Sequence, residues 1–198
     1  MAEKSFDFIA FLVFLVVLFP AFFGLCYATG CFPEEEADAL TEAKEDFEIT
    51  EPVRISAQKA GIDFEVVNPQ NSDIKTLDAA LSYGVVRYPD SARLGERGNM
   101  LLFGHSSFLP IVRNPAYKAL NGVKNLKEGD IISVYSEKAE YRYKVNKVTL
   151  AAAEDVLVDL RKTEGRKLTI STCNSFGAKE ERYVAEAEFV GSYLLESG

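Results

Sequence analysis

"KLTISTCNSFGAKEERYVAEAEFV", Lys167 to Val190, reads as two β-strands joined by a polar segment. Side chains alternate along a strand, so Leu168, Ile170 and Thr172 share one face while Thr169, Ser171 and Cys173 share the other. The aliphatic pair belongs in a core, which turns Cys173 outward. In the second run Tyr183, Ala185, Ala187 and Phe189 form the apolar face, and Arg182, Val184, Glu186 and Glu188 look the opposite way. If the two strands pair as a hairpin across "NSFGAKEE", Cys173 and Arg182 emerge on one outer face near the same end.

Working outward, the same kind of pattern recurs from about Pro52. "VRISAQKAGIDFEVV" holds two short β-favouring runs broken at Gly61, and "NMLLFGH" is a short buried run that ends in a glycine and a histidine. "EGDIISVYSEKAEYRYKVNKVTL" is a strand, a polar turn and a strand rich in Tyr and Val. Short helices are expected near Leu77 to Tyr83, Pro115 to Asn121 and Glu154 to Lys162. There is no internal repeat and no evident alternation of parallel strands with helices. The expected fold is mainly β, a barrel or a sandwich with small helical insertions.

The first fifty residues differ in kind. Phe8 to Pro33 carries no charged side chain, and "FIAFLVFLVVLFPAFFGLCYAT" is nearly all apolar. A bilayer core takes roughly 20 apolar helical residues, whereas the apolar part of a cleaved signal is about 7–15 residues. The reading is therefore an uncleaved transmembrane anchor over residues 8–30, after a tail at 1–7. Pro20 is tolerated in such a helix. Two other readings stay open: a buried core helix, and a lipoprotein signal in which "ATGC" presents Cys31 for lipidation. Lys4 precedes the span and no Lys or Arg follows it until Lys44, which sets the N-terminus inside and the domain outside the plasma membrane.

Residues 31–51 read as an acidic stalk, and "EEEADALTEAKEDFEITE" supplies much of the net charge of −8. Residues 52–198 are left as the functional domain. With no basic patch and no tryptophan, nucleic acid is not expected as a partner. Cys26 and Cys31 belong to the membrane end, so Cys173 has no disulfide partner within the domain.

A lone thiol on such a domain suits attack on an acyl carbon, with a cationic neighbour to favour its thiolate. Arg182 is cationic at any relevant pH and can donate to a developing oxyanion. His105, the one histidine of the chain, suits general acid catalysis near neutral pH. Each residue also has a plain structural reading: a small buried hydrophobe, a structural imidazole, a surface ion pair. One His and one Cys are too few for a zinc site. The chain's thirty acids single out neither a carboxylate pair for glycoside hydrolysis nor a compact calcium site.

"TISTC", Thr169 to Cys173, resembles the T-L-x-T-C strand of the sortases, and Arg182 follows the cysteine at the spacing several sortase subgroups share. Upstream, "YPDSARLGERGNMLLFGHSS" is similar to the segment in which G-E-x-G-N runs into a strand ending in G-H. Gly95, Glu96, Gly98, Asn99, Gly104 and His105 all match. "LKEGDIISV" and "YRYKV" resemble the strands between these segments, and the likeness runs from about Pro52 to Val190. Leu94 departs from the usual proline, Ser106 and Ser107 from the usual Arg-Thr, and no proline follows the cysteine closely.

The resemblance implies a closed eight-stranded β-barrel with short helices, behind one N-terminal transmembrane helix. It implies a membrane-anchored cysteine transpeptidase that cleaves an LPxTG-like sorting signal through a thioester. By position, Cys173 would be the nucleophile, His105 the general acid and later base, and Arg182 the residue that binds the signal and steadies the oxyanion. The implied partners are secreted proteins bearing a C-terminal sorting signal, and a peptidoglycan-precursor or pilin amine as acceptor. No cofactor is required, although some sortases use calcium near the active site. Two alternatives carry forward: a tethered cysteine hydrolase that releases the acyl group to water, and a non-catalytic β-domain.

Overall fold

The computed structural model describes residues 48–107, 109–160, 164–174 and 181–195. Eight strands follow one another as β1 (Arg54–Ala57), β2 (Ile62–Val67), β3 (Val85–Arg87), β4 (Gly98–Ser106), β5 (Ile131–Tyr135), β6 (Ala139–Ala152), β7 (Arg166–Asn174) and β8 (Glu181–Leu194). One α-helix, α1 (Ile74–Leu81), lies between β2 and β3. The strands close into a barrel in the order β1-β2-β3-β4-β7-β8-β6-β5, with β5 pairing back onto β1. Of the two expected architectures, barrel and sandwich, it is the barrel that forms.

Alternation explains most of the strands. Met100 and Leu102 of β4, Ile132 and Val134 of β5, Tyr141, Tyr143 and Val145 of β6, and Leu168 and Ile170 of β7 all point into one core. Burying a side chain of Leu or Ile size contributes about 1.5–3 kcal/mol. Ala185 and Ala187 of β8 are buried as the pattern requires, and Tyr183 and Phe189 pack against the same core. The break between β1 and β2 is a 3-10 turn over Gln58–Ala60, closed by Gly61 at φ 66°, where a side chain would be strained.

Three features depart from the sequence reading. The first is a parallel crossover: β2 and β3 run parallel with α1 between them, and β4 and β7 are parallel as well. β3 has only three residues, too few to register as a period, and both its valines are buried. Val85 faces the barrel core, while Val86 joins Ala80 and Leu81 of α1 in a small cluster outside it.

The second is the start of the helix, which begins at Ile74, ahead of the expected Leu77. The third is the helix expected over Glu154 to Lys162. The chain instead makes a 3-10 turn at Ala153–Asp155, and Val156–Leu160 has no regular structure. Val156, Val158 and Leu160 are half-buried while Leu157 and Asp159 are exposed. That is a period of two, which an extended segment satisfies and a helix cannot.

Residues just before β1 also engage the barrel. Thr50 and Leu94 exchange backbone hydrogen bonds of 3.1 and 3.0 Å, and buried Arg87 donates to Glu51 at 2.9 Å. Among the described residues no helix is long and apolar enough to cross a membrane. The expected tail at 1–7, anchor at 8–30 and most of the stalk at 31–51 lie outside the described residues.

Candidate active site

The site is built on the parallel seam between β4 and β7. Nine successive residues pair, from Gly98 with Arg166 to Ser106 with Asn174, and His105 stands opposite Cys173. β8 continues the sheet antiparallel to β7, from Lys167 with Glu188 to Ser171 with Val184. Beyond the last pair, the Tyr183 N–H donates to Thr172 Oγ1 at 2.9 Å. Two residues past that last pair on each strand are Cys173 and Arg182. The barrel thus brings the three sequence-predicted positions to one end of three adjoining strands.

Glycine at 104 has a local reason. A Cβ there would meet Leu120 Cδ1 at 3.0 Å and Cγ at 3.1 Å, so the chain next to His105 runs tightly under Leu120. The His105 carbonyl accepts from the Leu120 N–H at 3.0 Å. Its half-buried ring packs on Tyr117, with centroids 5.0 Å apart at 51°. Tyr117 belongs to the 3-10 turn Pro115–Lys118, where Asn114 Oδ1 accepts from the Ala116 N–H and Asn114 Nδ2 donates to the Ser82 carbonyl at 2.7 Å. That bond ties the turn to the end of α1. Burial lowers the proton affinity of His105 below its ordinary value, and the Asp78 carboxylate acts in the opposite sense.

Beside the seam lies a mostly apolar cavity of about 430 Å³. Leu101 and Phe103 of β4 and Ser171 of β7 line it from the sheet. Ile74, Leu77, Asp78 and Leu81 line it from α1, Val156 and Val158 from the segment after β6, and Arg182 from β8. An extended peptide suits such a space, with apolar contacts along its length and a guanidinium to meet a carbonyl oxygen.

The segment carrying Val156 and Val158 is fixed from beneath. Buried Asn99 donates through Nδ2 to the Asp159 carbonyl at 3.1 Å and to Thr169 Oγ1 at 2.9 Å, and Thr169 donates back to Asn99 Oδ1 at 3.1 Å. A smaller cavity of about 230 Å³, lined by Asn99, Asp159, Lys167 and Glu186 among others, lies under the same segment without touching His105 or Arg182. Among the described residues no group of three or more His, Cys, Asp or Glu side chains is arranged to hold a metal ion.

Four residues gain a place in the site that sequence patterns did not assign. Asp78 and Tyr117 surround His105 from segments distant in the chain. Asn99 matches the resemblance but its bond to Asp159 spans sixty residues. Ser107, a departure from the family pattern, is buried and exchanges hydrogen bonds of 2.7 and 2.9 Å with Asn121, which fixes the loop after His105. The one local signal was the spacing of Ile74, Leu77, Asp78 and Leu81, which puts all four on one helical face.

Comparison with known proteins agrees with this architecture. The family model described as the sortase domain matches residues 55–190. Among solved structures, sortase A of Listeria monocytogenes is 20% identical, with 75% of this chain and 92% of that one covered and a TM-score of 0.57. The sortase D5 transpeptidase of Clostridium perfringens is 22% identical over 73% of this chain and 83% of that one, at 0.54. Sortase C of Streptococcus pneumoniae, studied for its pilin substrate specificity, is 13% identical over 76% and 73%, at 0.58. At these identities the likeness is one of fold. No curated protein matches the chain.

Proposed function

The chain belongs to the sortase family, and from that membership we propose that it is a cysteine transpeptidase that joins secreted proteins to an amine at the cell surface. The observation that carries the reading is the register of the parallel seam, His105 opposite Cys173, with Arg182 on the adjoining strand and a peptide-sized cavity alongside.

In this reading the Cys173 thiolate attacks the carbonyl carbon of the Thr–Gly bond in an LPxTG-like signal. Arg182 donates to the oxyanion of the tetrahedral intermediate, where one such donor is worth about 100- to 1000-fold in rate. His105 as imidazolium gives its proton to the departing amino group, and a thioester remains on Cys173. The neutral imidazole then takes a proton from an incoming peptidoglycan-precursor or pilin amine as that amine attacks. Cys173 leaves as thiolate, and the amide bond is complete. Every step uses side chains of this chain, and no cofactor is invoked. The apolar stretch over residues 8–30 anchors the protein in the plasma membrane with the N-terminus inside and the domain at the outer face, where secreted substrate and acceptor meet.

The test uses the full chain in detergent micelles with an LPxTG-type peptide, with and without an added amine, read by mass spectrometry of protein and products. We expect an adduct on Cys173 that resolves to an amide only when amine is present. Release to water at one rate regardless of amine makes the protein a hydrolase. Failure of every sorting peptide to acylate Cys173 overturns the reading in favour of a non-catalytic domain.

A further inference from the structure

α1 turns one face to the cavity, and that face holds Ile74, Leu77, Asp78 and Leu81 at the i, i+3, i+4 and i+7 positions of a helix. Three of the four are the aliphatic residues such a face calls for. The fourth is a carboxylate in the middle of the stripe.

Nothing in the folding of the helix requires an acid at that position. Leu77 and Leu81 pack with Val86 and Phe103 and hold α1 to the barrel. Asp78 is exposed, as Lys75 is, but of these two charged residues of α1 it is Asp78 that lines the cavity. Among the described residues Asp78 forms no salt bridge, and its charge acts on His105 across the site. Its carboxylate faces the same cavity as Arg182, which the proposed chemistry assigns to a carbonyl oxygen. The helix end lies against the turn that carries Tyr117, because Asn114 bonds the Ser82 carbonyl. Asp78 is therefore about one helical turn from the surroundings of His105, on the wall along which an acyl peptide would lie.

We propose that Asp78 is an anionic subsite on the α1 wall that selects a cationic side chain in the sorting peptide, at the variable position between Pro and Thr. This rests on the transpeptidase reading and deepens it. In an LPxTG-like pattern that is the one side chain left free to differ, so a charge in the cavity wall has that residue to read.

The experiment compares peptides with Lys, Gln or Glu at the variable position, measuring kcat/KM for acylation of Cys173 in the full chain and in its Asp78→Asn and Asp78→Lys variants. Asp78 is exposed, so these substitutions are compatible with the fold. The field of Asp78 on His105 acts alike on every peptide and cancels in the ratio of Lys to Glu. We expect that ratio to be about fivefold in the natural chain, the size of one partly exposed charge contact. It should approach one in Asp78→Asn, invert in Asp78→Lys, and shrink in 1 M salt, where screening acts within about 3 Å. A ratio of one in the natural chain, or the same ratio in all three proteins, overturns the subsite while the transpeptidase reading stands. Absence of acylation by any peptide overturns both, and the mass of Cys173 tells the two failures apart.

Discussion

Two pairs of neighbouring strands run parallel in this barrel, and they are made differently. β2 and β3 share two paired residues, Val66 with Val85 and Val67 with Val86, and the chain between them holds α1 as its one regular element. β4 and β7 share nine, and the chain between them forms β5, β6 and three 3-10 turns. A parallel pair needs a crossover, but a short crossover with two pairs leaves its helix held mainly by a small apolar cluster. Nine pairs fix their ends as one unit. The groups proposed to react stand on the long seam, and the residue proposed to select stands on the short one. The proposed chemistry, which tolerates little misplacement, is on the longer of the two parallel seams, and the proposed specificity is on a part that substitution can reshape at small cost.

If the long seam carries the chemistry, altering its reactive group must end catalysis without touching the barrel. Cys173→Ala should form no acyl-enzyme with any peptide by intact mass, while its thermal unfolding midpoint stays with that of the natural chain. A large drop in that midpoint would mean that Cys173 is a core residue. Arg182→Lys comes next in size. It keeps the charge and loses the planar fork that meets a carbonyl oxygen, so kcat/KM for peptide should fall about 100-fold. Near-normal turnover would mean that the positive charge alone is needed.

The wall carrying Val156 and Val158 sharpens the comparison, because there a single buried amide does what a small apolar cluster does for the helix. Asn99→Ala leaves the Asp159 carbonyl and the Thr169 hydroxyl without that partner. The loss of stability should be about 1–3 kcal/mol, measured by denaturant unfolding. With Val156 and Val158 less well held, peptide binding weakens in ground state and transition state alike, so KM rises while kcat is nearly unchanged. The expected rise is on the order of tenfold, short of the ~100-fold that misplacement at the reacting centre costs. A fall in kcat with KM unmoved would put Asn99 in the reaction itself.

The long seam was the more legible half of this molecule. Leu168 and Ile170 alternate with polar residues, Ala185 and Ala187 do the same on β8, and alternation is a local property that needs no partner to read. The rarity of Cys and His drew attention to Cys173 and His105, and the motifs around them carried the family. The short seam was nearly invisible. β3 is too brief to show a period, and Val156 to Leu160 mixes a helix-like run with the period of a strand. Asp78 belongs to no motif along the chain and gains its place only because the fold turns its helix toward the cavity. Tyr117 and Asn114 matter through contacts that no spacing along the chain expresses.

The smallest expected effect joins the two seams, since Asp78 on one acts on His105 of the other. Burial holds the proton affinity of His105 below its ordinary value near 6.5, and among the described residues the Asp78 carboxylate acts to raise it. As general acid His105 must be protonated, so kcat/KM should decline as pH rises through that lowered pKa. Asp78→Asn removes the charge that favours imidazolium, the pKa drops further, and the same decline should begin at lower pH with a peptide that carries no charge. The stability that neutral His105 contributes runs the opposite way: it is complete above the unfolded value and lost as pH falls through the folded one. In Asp78→Asn that loss begins at the same unfolded value but continues to lower pH, so it should be larger than in the natural chain. A pH–rate profile that does not move, measured beside an unfolding midpoint that does not move either, would mean that the helix of the short seam selects peptides without tuning the acid on the long one.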